Sequence, residues 1–436
     1  MSTWQDLVTA SLIGTERAEV PPAGVPGVLT SDPVAATTDP AAVLLDRAAL
    51  LTAARRAGRR PDHVEPLPVC QADPRPGVSR AAEVRLARLL GGEYPGLLAE
   101  WLTAAAAAGL RPPPQYLPAL LNQARRVGPA GSGLMRLVAE AGGARARWLA
   151  GLNPDWALPS EAGEDAWRLG DAGQRRGYLT SLLGRDPDAA RELVRSSWDA
   201  AGPAERALFL SVLADGLDPA DEPLLEAALD DGAEDVRAWS AHLLARLPGS
   251  AFGRRMADRA LRCVRIEPGA RGPRVAITPP AECDASMRHD GITPAPAAGP
   301  PHPADRTRVL LMVVTRTPLR TWTDTFGLTA AQVVALRSGD WAPVLSTGWA
   351  LAARAQRDHD WTAALISQAI SGRPPSTAAE TDALRQLARH ADPALGAPDA
   401  LPEPRPDAPP VIGAVLSLLR FRHDMLKELD DDDGGD

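Results

Sequence analysis

The sequence contains almost no lysine and few aromatic residues. Lys427 is the only lysine among 47 basic residues, so all the others are arginines. This bias, together with abundant alanine, glycine and proline, indicates a high-GC genome, and we expect a bacterial origin. The formal net charge of −8 argues against a general affinity for nucleic acid, although it is compatible with a local basic patch.

Cysteines and long apolar runs are equally scarce. The three cysteines, Cys70, Cys263 and Cys283, are too few and too scattered for a disulfide framework. Uncharged apolar runs, such as residues 101–110, are far shorter than the ~20 residues that a membrane-spanning helix needs. The N-terminal residues carry two acidic side chains and no basic region before an apolar core, so they predict no signal peptide. These features predict a cytoplasmic protein.

A glycine-rich segment, GPAGSGLM at residues 128–135, lacks the residues that would make it a nucleotide site. Its glycine spacing is that of a phosphate-binding loop. However, Leu134 and Met135 stand where such a loop needs a lysine for the phosphates and a serine or threonine for Mg²⁺. We therefore predict an inter-helix loop and no cofactor.

Metal-binding and nucleophile motifs are missing as well. The pairs His63–Cys70 and Cys283–His289 lack the short spacing that closes a zinc site. No G-x-S-x-G elbow is present, and no histidine lies in a persuasive pattern with serine or cysteine. The sequence therefore predicts no metal and no catalytic residues, and a protein that is not an enzyme.

Helical hairpins dominate what is present, most clearly between residues 204 and 262. Val236, Trp239, Leu243 and Leu247 follow the period of one helix face. Capping residues precede or follow prolines at Pro187, Pro219 and Pro248, and these prolines are about one helical hairpin apart in the chain. Such a hairpin cannot bury its apolar side alone, so it must stack on its neighbours.

The chain is predicted to be all-α, a HEAT-like α-solenoid of stacked helical hairpins with a small β-hairpin insertion and a C-terminal helical segment. Alternating apolar and polar residues predict the β-hairpin at residues 264–267 and 274–278. Residues 281–304 are predicted to be irregular, and the chain ends in an acidic tail. The predicted domains are an N-terminal helical domain (1–150), a helical-repeat domain (151–263), the hairpin and Pro-rich insertion (264–305), a C-terminal helical domain (306–395), and a linker with the terminal helix and acidic tail (396–436).

Several segments carry resemblances to known families. DDGAEDVRAWSAHLLARL resembles the second half of a HEAT-type repeat, with Asp231 in the turn and Val236 and Arg237 opening the second helix. Together, WQDLVTASLIGTER, WLAGLNPDW and DEPLLEAALDDGAEDVRAWSAHLLARLPGS resemble a bacterial family classed only as a domain of unknown function. That resemblance implies a cytoplasmic, largely helical protein with no assigned activity. It also suggests partners, since members are often encoded beside a MoxR-type AAA+ ATPase, a von Willebrand factor A-domain protein and a SWIM zinc-finger protein.

One stretch of the sequence, which we call the Arg ridge, has a higher density of positive charge than the rest of the chain. It consists of Arg254, Arg255, Arg259, Arg262, Arg265, Arg271 and Arg274. Its first four members are predicted to lie on one side of their helix, opposite an apolar stripe of Phe252 and Met256. Such a ridge could grip phosphates or an acidic partner, or it could be a solvated surface paired with acidic residues of neighbouring repeats.

Two functional hypotheses follow from the sequence. The leading one is a non-catalytic scaffold or adaptor that binds another protein. The alternative is binding of nucleic acid or another anion through the Arg ridge. A continuous basic groove in the structure would favour nucleic acid, whereas an apolar groove lined by tryptophan would favour a protein partner.

Overall fold

A computed structural model describes residues 4–20, 39–57, 67–127, 132–156, 163–269, 272–293 and 303–430 of the 436-residue chain. The chain divides into two compact units, residues 1–69 and 70–436. In the parts described, the structure is helical apart from one two-stranded hairpin. The predicted all-α class with a small β insertion is thereby confirmed. No helix in these parts is long and apolar enough to cross a bilayer.

The first unit contains two helices, α1 (Trp4–Ile13) and α2 (Pro40–Ala57). Leu7 and Ala10 of α1 are buried. The guanidinium of Arg55 lies 5.5 Å from the ring of Trp4, and this cation–π contact joins the two helices.

The second unit begins with eleven helices. They are α3 (Arg80–Leu90), α4 (Leu97–Ala107), α5 (Leu117–Arg126), α6 (Ser132–Leu152), α7 (Glu164–Arg168), α8 (Ala172–Arg185), α9 (Pro187–Ser197), α10 (Pro203–Leu213), α11 (Glu222–Ala228), α12 (Glu234–Leu244) and α13 (Ala251–Cys263). Helix α6 is kinked at Gly143, whose φ of 56° lies in the left-handed region.

The hairpin and the remaining helices follow. They are β1 (Val264–Glu267), β2 (Arg274–Ile277), α14 (Ala285–His289), α15 (Pro303–Arg316), α16 (Arg320–Phe326), α17 (Ala330–Ala335), α18 (Ala342–Gln356), α19 (His359–Ser371), α20 (Ala378–His390) and α21 (Pro410–Asp430). The strands pair antiparallel, with Val264 opposite Ile277 and Glu267 opposite Arg274. This confirms the predicted hairpin to within one residue.

The capping residues predicted at the ends of the helical hairpins are present in the structure. Asp186 accepts a hydrogen bond from the Ala189 backbone N–H at 3.0 Å, and Ser250 accepts one from Gly253 at 3.0 Å. Contacts link residues about one hairpin apart, as in the 2.7 Å ion pair between Arg191 and Asp221. Helix α10 packs on both α8 and α12. Stacked hairpins would produce this order of contacts, while the HEAT-like assignment itself stays a prediction.

The last helix departs from purely sequential stacking, because α21 packs against α3 and α4 near the start of the same unit. Arg422 is bonded to Glu100 at 2.7 Å, and the ring of Phe421 packs at a tilt on that of Tyr94, with centroids 4.5 Å apart. No local pattern could predict contacts between residues so distant in sequence. The predicted domain boundaries at residues 150, 263, 305 and 395 stay predictions.

Two local predictions need correction. Residues 132–135 of the segment predicted as an inter-helix loop are helical and open α6, while residues 128–131 lie outside the described parts. Residues 281–304 were predicted to be irregular, yet they include α14. Its first turn is capped by Asp284, which accepts a hydrogen bond from the Met287 N–H at 2.7 Å. The acidic tail at residues 431–436 lies outside the described residues.

Candidate functional site

A cleft of about 440 Å³ opens between α17, α18, α19 and α20 in the second unit. This volume lies within the range of roughly 300–1,000 Å³ that is typical of small-molecule sites. Helices α18 and α20 pack directly on one another, and α17 and α18 both pack on α19, so four helices hold the walls in place. The start of α17 is fixed by a capping box between Thr329 and Gln332.

Aromatic and aliphatic side chains form the inner wall of this cleft. Trp349, which is 3% exposed, lines it together with Leu365, Leu384 and Leu387. The Trp349 ring is supported from behind by Trp361 at 5.5 Å and contacts Trp322 edge-on at 6.2 Å, measured between ring centroids. These contacts hold the indole rigidly, so the cleft presents an apolar surface that is already formed.

The acidic group of the cleft is Glu380, and its role is structural. It is buried and accepts hydrogen bonds from the Ser376 backbone N–H at 2.8 Å and the Ser376 hydroxyl at 2.9 Å. Arg373 forms an ion pair with it. Burial opposes ionisation of Glu380, but the bond from Arg373 and those from Ser376 lower its pKa. A carboxylate held ionised in this way lines the cleft and caps the first turn of α20.

A second groove, of about 630 Å³, lies between the β-hairpin and residues 337–341. Arg337, Ser338 and Gly339 line both this groove and the cleft, so this segment borders both cavities. The segment is attached to the hairpin because the Val275 N–H donates to the Arg337 carbonyl at 2.8 Å. Trp341, at the end of this segment, also lines the groove.

Arg337 supplies the positive charge at the junction of the cleft and the groove. Its side chain is exposed, and in the described parts of the chain no carboxylate lies within 4.0 Å of it. An unpaired guanidinium at this position can bind an acidic group of whatever occupies the two cavities. No local sequence pattern singles out Arg337. The feature that could have drawn attention to this region is its tryptophan content, since Trp341 and Trp349 are close to Arg337 in sequence.

The Arg ridge is not the uniform exposed surface that was predicted. Arg254, Arg262, Arg265 and Arg274 are exposed, whereas Arg255 is half-buried and Arg259 is buried. The predicted placement of Arg259 opposite the apolar stripe is wrong. Arg259 follows Phe252 by seven residues, which is two helical turns, so both lie on the same buried side of α13.

Acidic partners from neighbouring helices neutralise part of the Arg ridge. Arg259 bonds Asp290 at 2.6 Å, and Arg255 bonds both Glu226 at 2.9 Å and Asp290 at 2.7 Å. Arg274 pairs with Glu267 across the hairpin at 3.1 Å. Arg271 lies outside the described residues. The exposed members without a carboxylate partner in the described structure are Arg254, Arg262 and Arg265.

The cysteines show no sign of reactive chemistry. Cys263 lies on the apolar side of α13, as predicted, and burial raises its pKa. Burial also raises the pKa of Cys283, and a raised pKa disfavours the nucleophilic thiolate. Among the residues described, no cluster of three or more histidine, cysteine or acidic side chains is arranged to hold a metal ion.

Comparison with known proteins gives one match. The model of a family described as "Family of unknown function (DUF5691)" matches residues 6–394. No curated protein and no solved structure matches the chain.

Proposed function

The chain belongs to the family of unknown function DUF5691, and from that premise we propose that it is a non-catalytic adaptor that binds a protein partner. The binding surface in this proposal is the cleft between α17 and α20 together with the groove beside the β-hairpin. The observation that carries the proposal is that the two cavities are neighbours and share Arg337, Ser338 and Gly339 as lining residues.

The shape and chemistry of the two cavities support an extended segment of a partner protein as the occupant. The cleft offers the indole of Trp349 and leucine side chains for apolar residues, and aromatic anchors of this kind dominate the energetics of protein interfaces. Arg337 borders both cavities, so the segment is proposed to carry an acidic residue near it. The tryptophan-lined character of the cleft also meets the criterion set above for a protein partner.

The charged groups of the cleft support a non-catalytic role. Glu380 is the acidic group among the described residues that line it. A general acid or base works best with a pKa near the operating pH, but hydrogen bonds lower the pKa of Glu380. Its oxygens already accept bonds from Ser376, Thr377 and Arg373, so the carboxylate is committed to holding the fold.

The test is affinity purification from the native host with variants of the cleft. Ser346→Phe places a ring inside the cleft, and Arg337→Glu reverses the charge at its junction with the groove. Arg385→Glu is the matched control, because Arg385 is exposed on α20 and does not line either cavity. We expect the wild type and Arg385→Glu to retain a stoichiometric partner, identified by mass spectrometry, and the two cleft variants to lose it.

Two results would contradict this proposal. One is the absence of any stoichiometric partner of the wild type under gentle conditions. The other is retention of the same partner by both cleft variants. The family resemblance suggests which purified proteins to test directly: a MoxR-type AAA+ ATPase, a von Willebrand factor A-domain protein and a SWIM zinc-finger protein. The proposal includes a cytoplasmic location, supported by the few and scattered cysteines.

A second candidate function is anion or nucleic-acid binding by the exposed part of the Arg ridge. Arg254, Arg262 and Arg265 are exposed and lack a carboxylate partner in the described structure, and this favours the candidate. Binding through them would weaken steeply with salt. Replacing these three with alanine tests the surface without breaking the buried ion pairs of Arg255 and Arg259. Nucleic-acid binding that is unchanged in the triple variant would dismiss the Arg ridge.

A further inference from the structure

A separate group of cations collects where three helices of the second unit end. It comprises His242 in the last turn of α12, Arg316 at the end of α15, Arg354 in the last turn of α18, Arg357 just after α18, and Arg246 just after α12. We call it the basic groove. None of its members belongs to the Arg ridge or lines the cleft.

Specific contacts bring the three helix ends together. The Gln356 side chain accepts a hydrogen bond from the Leu319 N–H and donates one to the Thr317 carbonyl, both at 2.9 Å, so the end of α18 is joined to the segment after α15. A Cβ atom added to Gly291 would lie 3.1 Å from Ala241 of α12 and 3.6 Å from the Arg316 guanidinium. Arg316 therefore lies beside α12, next to His242.

The arginines of the basic groove are not neutralised in the way that other enclosed arginines of this chain are. Arg191, Arg255, Arg259 and Arg422 all have carboxylate partners. In contrast, the guanidinium groups of Arg246 and Arg316 donate, among the residues that the structure describes, only to backbone carbonyls, at 2.9 and 3.0 Å. Within the described parts of the chain, Arg354 and Arg357 have neither a side-chain hydrogen bond nor an ion pair. Such a cluster is unusual in a chain with 55 acidic and 47 basic residues.

The electrostatics of the groove agree with positive charge that is only partly offset, by Asp215 near Arg246 and by Asp290 near Arg316. The surrounding protein and the charges of Arg246, Arg354 and Arg316 lower the pKa of His242. Burial, and then the charge of Arg357, lower the pKa of Arg246. Burial lowers that of Arg316 to about 10. Yet all of these side chains reach solvent. These cations therefore have protein close by and are still accessible to a ligand from solvent.

An exposed aromatic side chain lies at the edge of this surface. Trp239 is 37% exposed, although its position in the apolar stripe of α12 predicted burial. Its ring and that of His242 are nearly perpendicular, with centroids 6.0 Å apart, and the charges of Arg246, Arg354 and Arg316 act on His242. The exposed indole therefore adjoins the histidine of the basic groove, and an indole near guanidinium groups can stack a base while they bind a phosphate.

We propose that the basic groove binds a nucleoside phosphate, with the phosphate held by Arg316, Arg354 and Arg357 and the base stacked on Trp239. The simplest competing explanation is that these cations only offset the negative ends of α12, α15 and α18. That role needs no ligand and is indifferent to Trp239. The nucleoside phosphate can be a free nucleotide or a unit of single-stranded nucleic acid, because both present the same phosphate and base.

The test uses the full-length chain and three probes, namely inorganic phosphate, AMP and a single-stranded oligonucleotide, titrated calorimetrically. We expect saturable AMP binding that is tighter than that of phosphate. Arg354→Met and Arg357→Met should weaken AMP binding roughly ten-fold or more, the effect of one lost charge-assisted hydrogen bond. Both residues lack hydrogen bonds within the described structure, so these variants should fold. Arg126→Met, which removes an exposed arginine of α5 outside the basic groove, the Arg ridge and the cleft, is the control and should leave binding unchanged.

The variant Trp239→Leu distinguishes the contribution of the base to binding from that of the phosphate. It should weaken AMP binding and leave phosphate binding unchanged, whereas a purely dipole-compensating cluster would show no response. An oligonucleotide that binds much more tightly than AMP identifies a nucleic acid strand, and one that binds no more tightly identifies a free nucleotide. The proposal is overturned if AMP does not bind at roughly millimolar concentration, if it binds no more tightly than phosphate, or if the arginine variants bind it normally.

Discussion

Arg259 donates a hydrogen bond to the Asp290 carboxylate at 2.6 Å, and both side chains are almost completely shielded from solvent, with 8% and 0% exposure. This ion pair joins α13 to the turn after α14. Arg255 bonds the second oxygen of the same carboxylate at 2.7 Å, and Arg316 donates to the Asp290 backbone carbonyl at 3.0 Å. Asp290 therefore connects three helices, and what the sequence presents as a basic surface is partly an internal ion-pair network.

Removing one side of this pair should destabilise the protein strongly. We expect Arg259→Met to lower the free energy of unfolding by about 3 kcal/mol, because it leaves a buried carboxylate with one cation fewer. Urea denaturation followed by circular dichroism measures the effect. Arg262→Met, on the exposed side of the same helix, should change stability by less than about 0.5 kcal/mol. Equal effects of the two substitutions would contradict the assignment of Arg259 to the interior.

Asp290 should make the free energy of unfolding depend on pH. Burial alone would raise its pKa, but the hydrogen bonds from Arg255 and Arg259 lower it below the ordinary value of 3.8. The folded state therefore resists protonation more than the unfolded state does. The stabilisation by Asp290 is present above pH 3.8 and is lost as the pH falls through the lower folded-state pKa. The difference in unfolding free energy between wild type and Asp290→Asn should accordingly shrink in acid. A difference that grows as the pH falls would reverse the sign of this argument.

Gly143 should be irreplaceable, in contrast to a second glycine of α6. Its φ and ψ of 56° and −139° are strained for any side chain. An added Cβ would also lie 2.2 Å from the Arg75 guanidinium and 2.5 Å from the Asp73 carboxylate. We expect Gly143→Ala to cost more than about 2 kcal/mol. Gly151→Ala, in the same helix and with open space around it, should be neutral or stabilising by up to about 1 kcal/mol. Thermal unfolding of both variants checks the contrast.

Substitution of Gly143 should also change the pKa of Asp73. The bond from Arg75 lowers the pKa of Asp73 to about 2. If alanine at position 143 displaces the arginine, that pKa should rise toward 3.8, its ordinary value, as measured by NMR titration of the carboxyl carbon. An unchanged Asp73 pKa in a destabilised Gly143→Ala variant would assign the cost to backbone strain alone.

The attachment of α21 to the start of the second unit should depend on Arg422. This side chain is 5% exposed and donates to Glu100 at 2.7 Å and to the Ala391 carbonyl at 2.6 Å. We expect Arg422→Met to cost roughly 3–5 kcal/mol and to increase hydrogen exchange in α21. Arg420→Met, which alters an exposed neighbour on the same helix, is the control. Normal protection of α21 in Arg422→Met would show that apolar packing alone holds it.

Local patterns were sufficient for most elements of secondary structure. The hairpin strands predicted at 264–267 and 274–278 match the observed bounds within one residue. These elements have strong local signals, namely a cap such as Ser79, a periodic apolar stripe, or a Gly/Pro turn between alternating residues. Helix α14 was missed because it is only five residues long, too short to show a period against its Pro-rich surroundings.

The candidate sites were much less predictable. The sequence drew attention to seven arginines because they are close together in the chain, yet a carboxylate 31 residues away from Arg259 decides that it is buried. Arg337 and Trp349 face one cleft, and Arg246, Arg316 and Arg354 approach one another from three helices. Charge density along a chain does not show which charges meet an opposite partner, since partners come from other helices.

The sequence by itself determined that this chain is helical, where most of its helices and its one hairpin lie, and that no recognised catalytic motif is present, because caps, periods and motif spacings are local properties. Tertiary structure alone decided which arginines pair with a carboxylate, that Arg337 borders both the cleft and the groove, and that α21 packs on α3 and α4. Those features depend on side chains that lie far apart in the chain, and only the packing of the helices brings them within a few ångströms of each other.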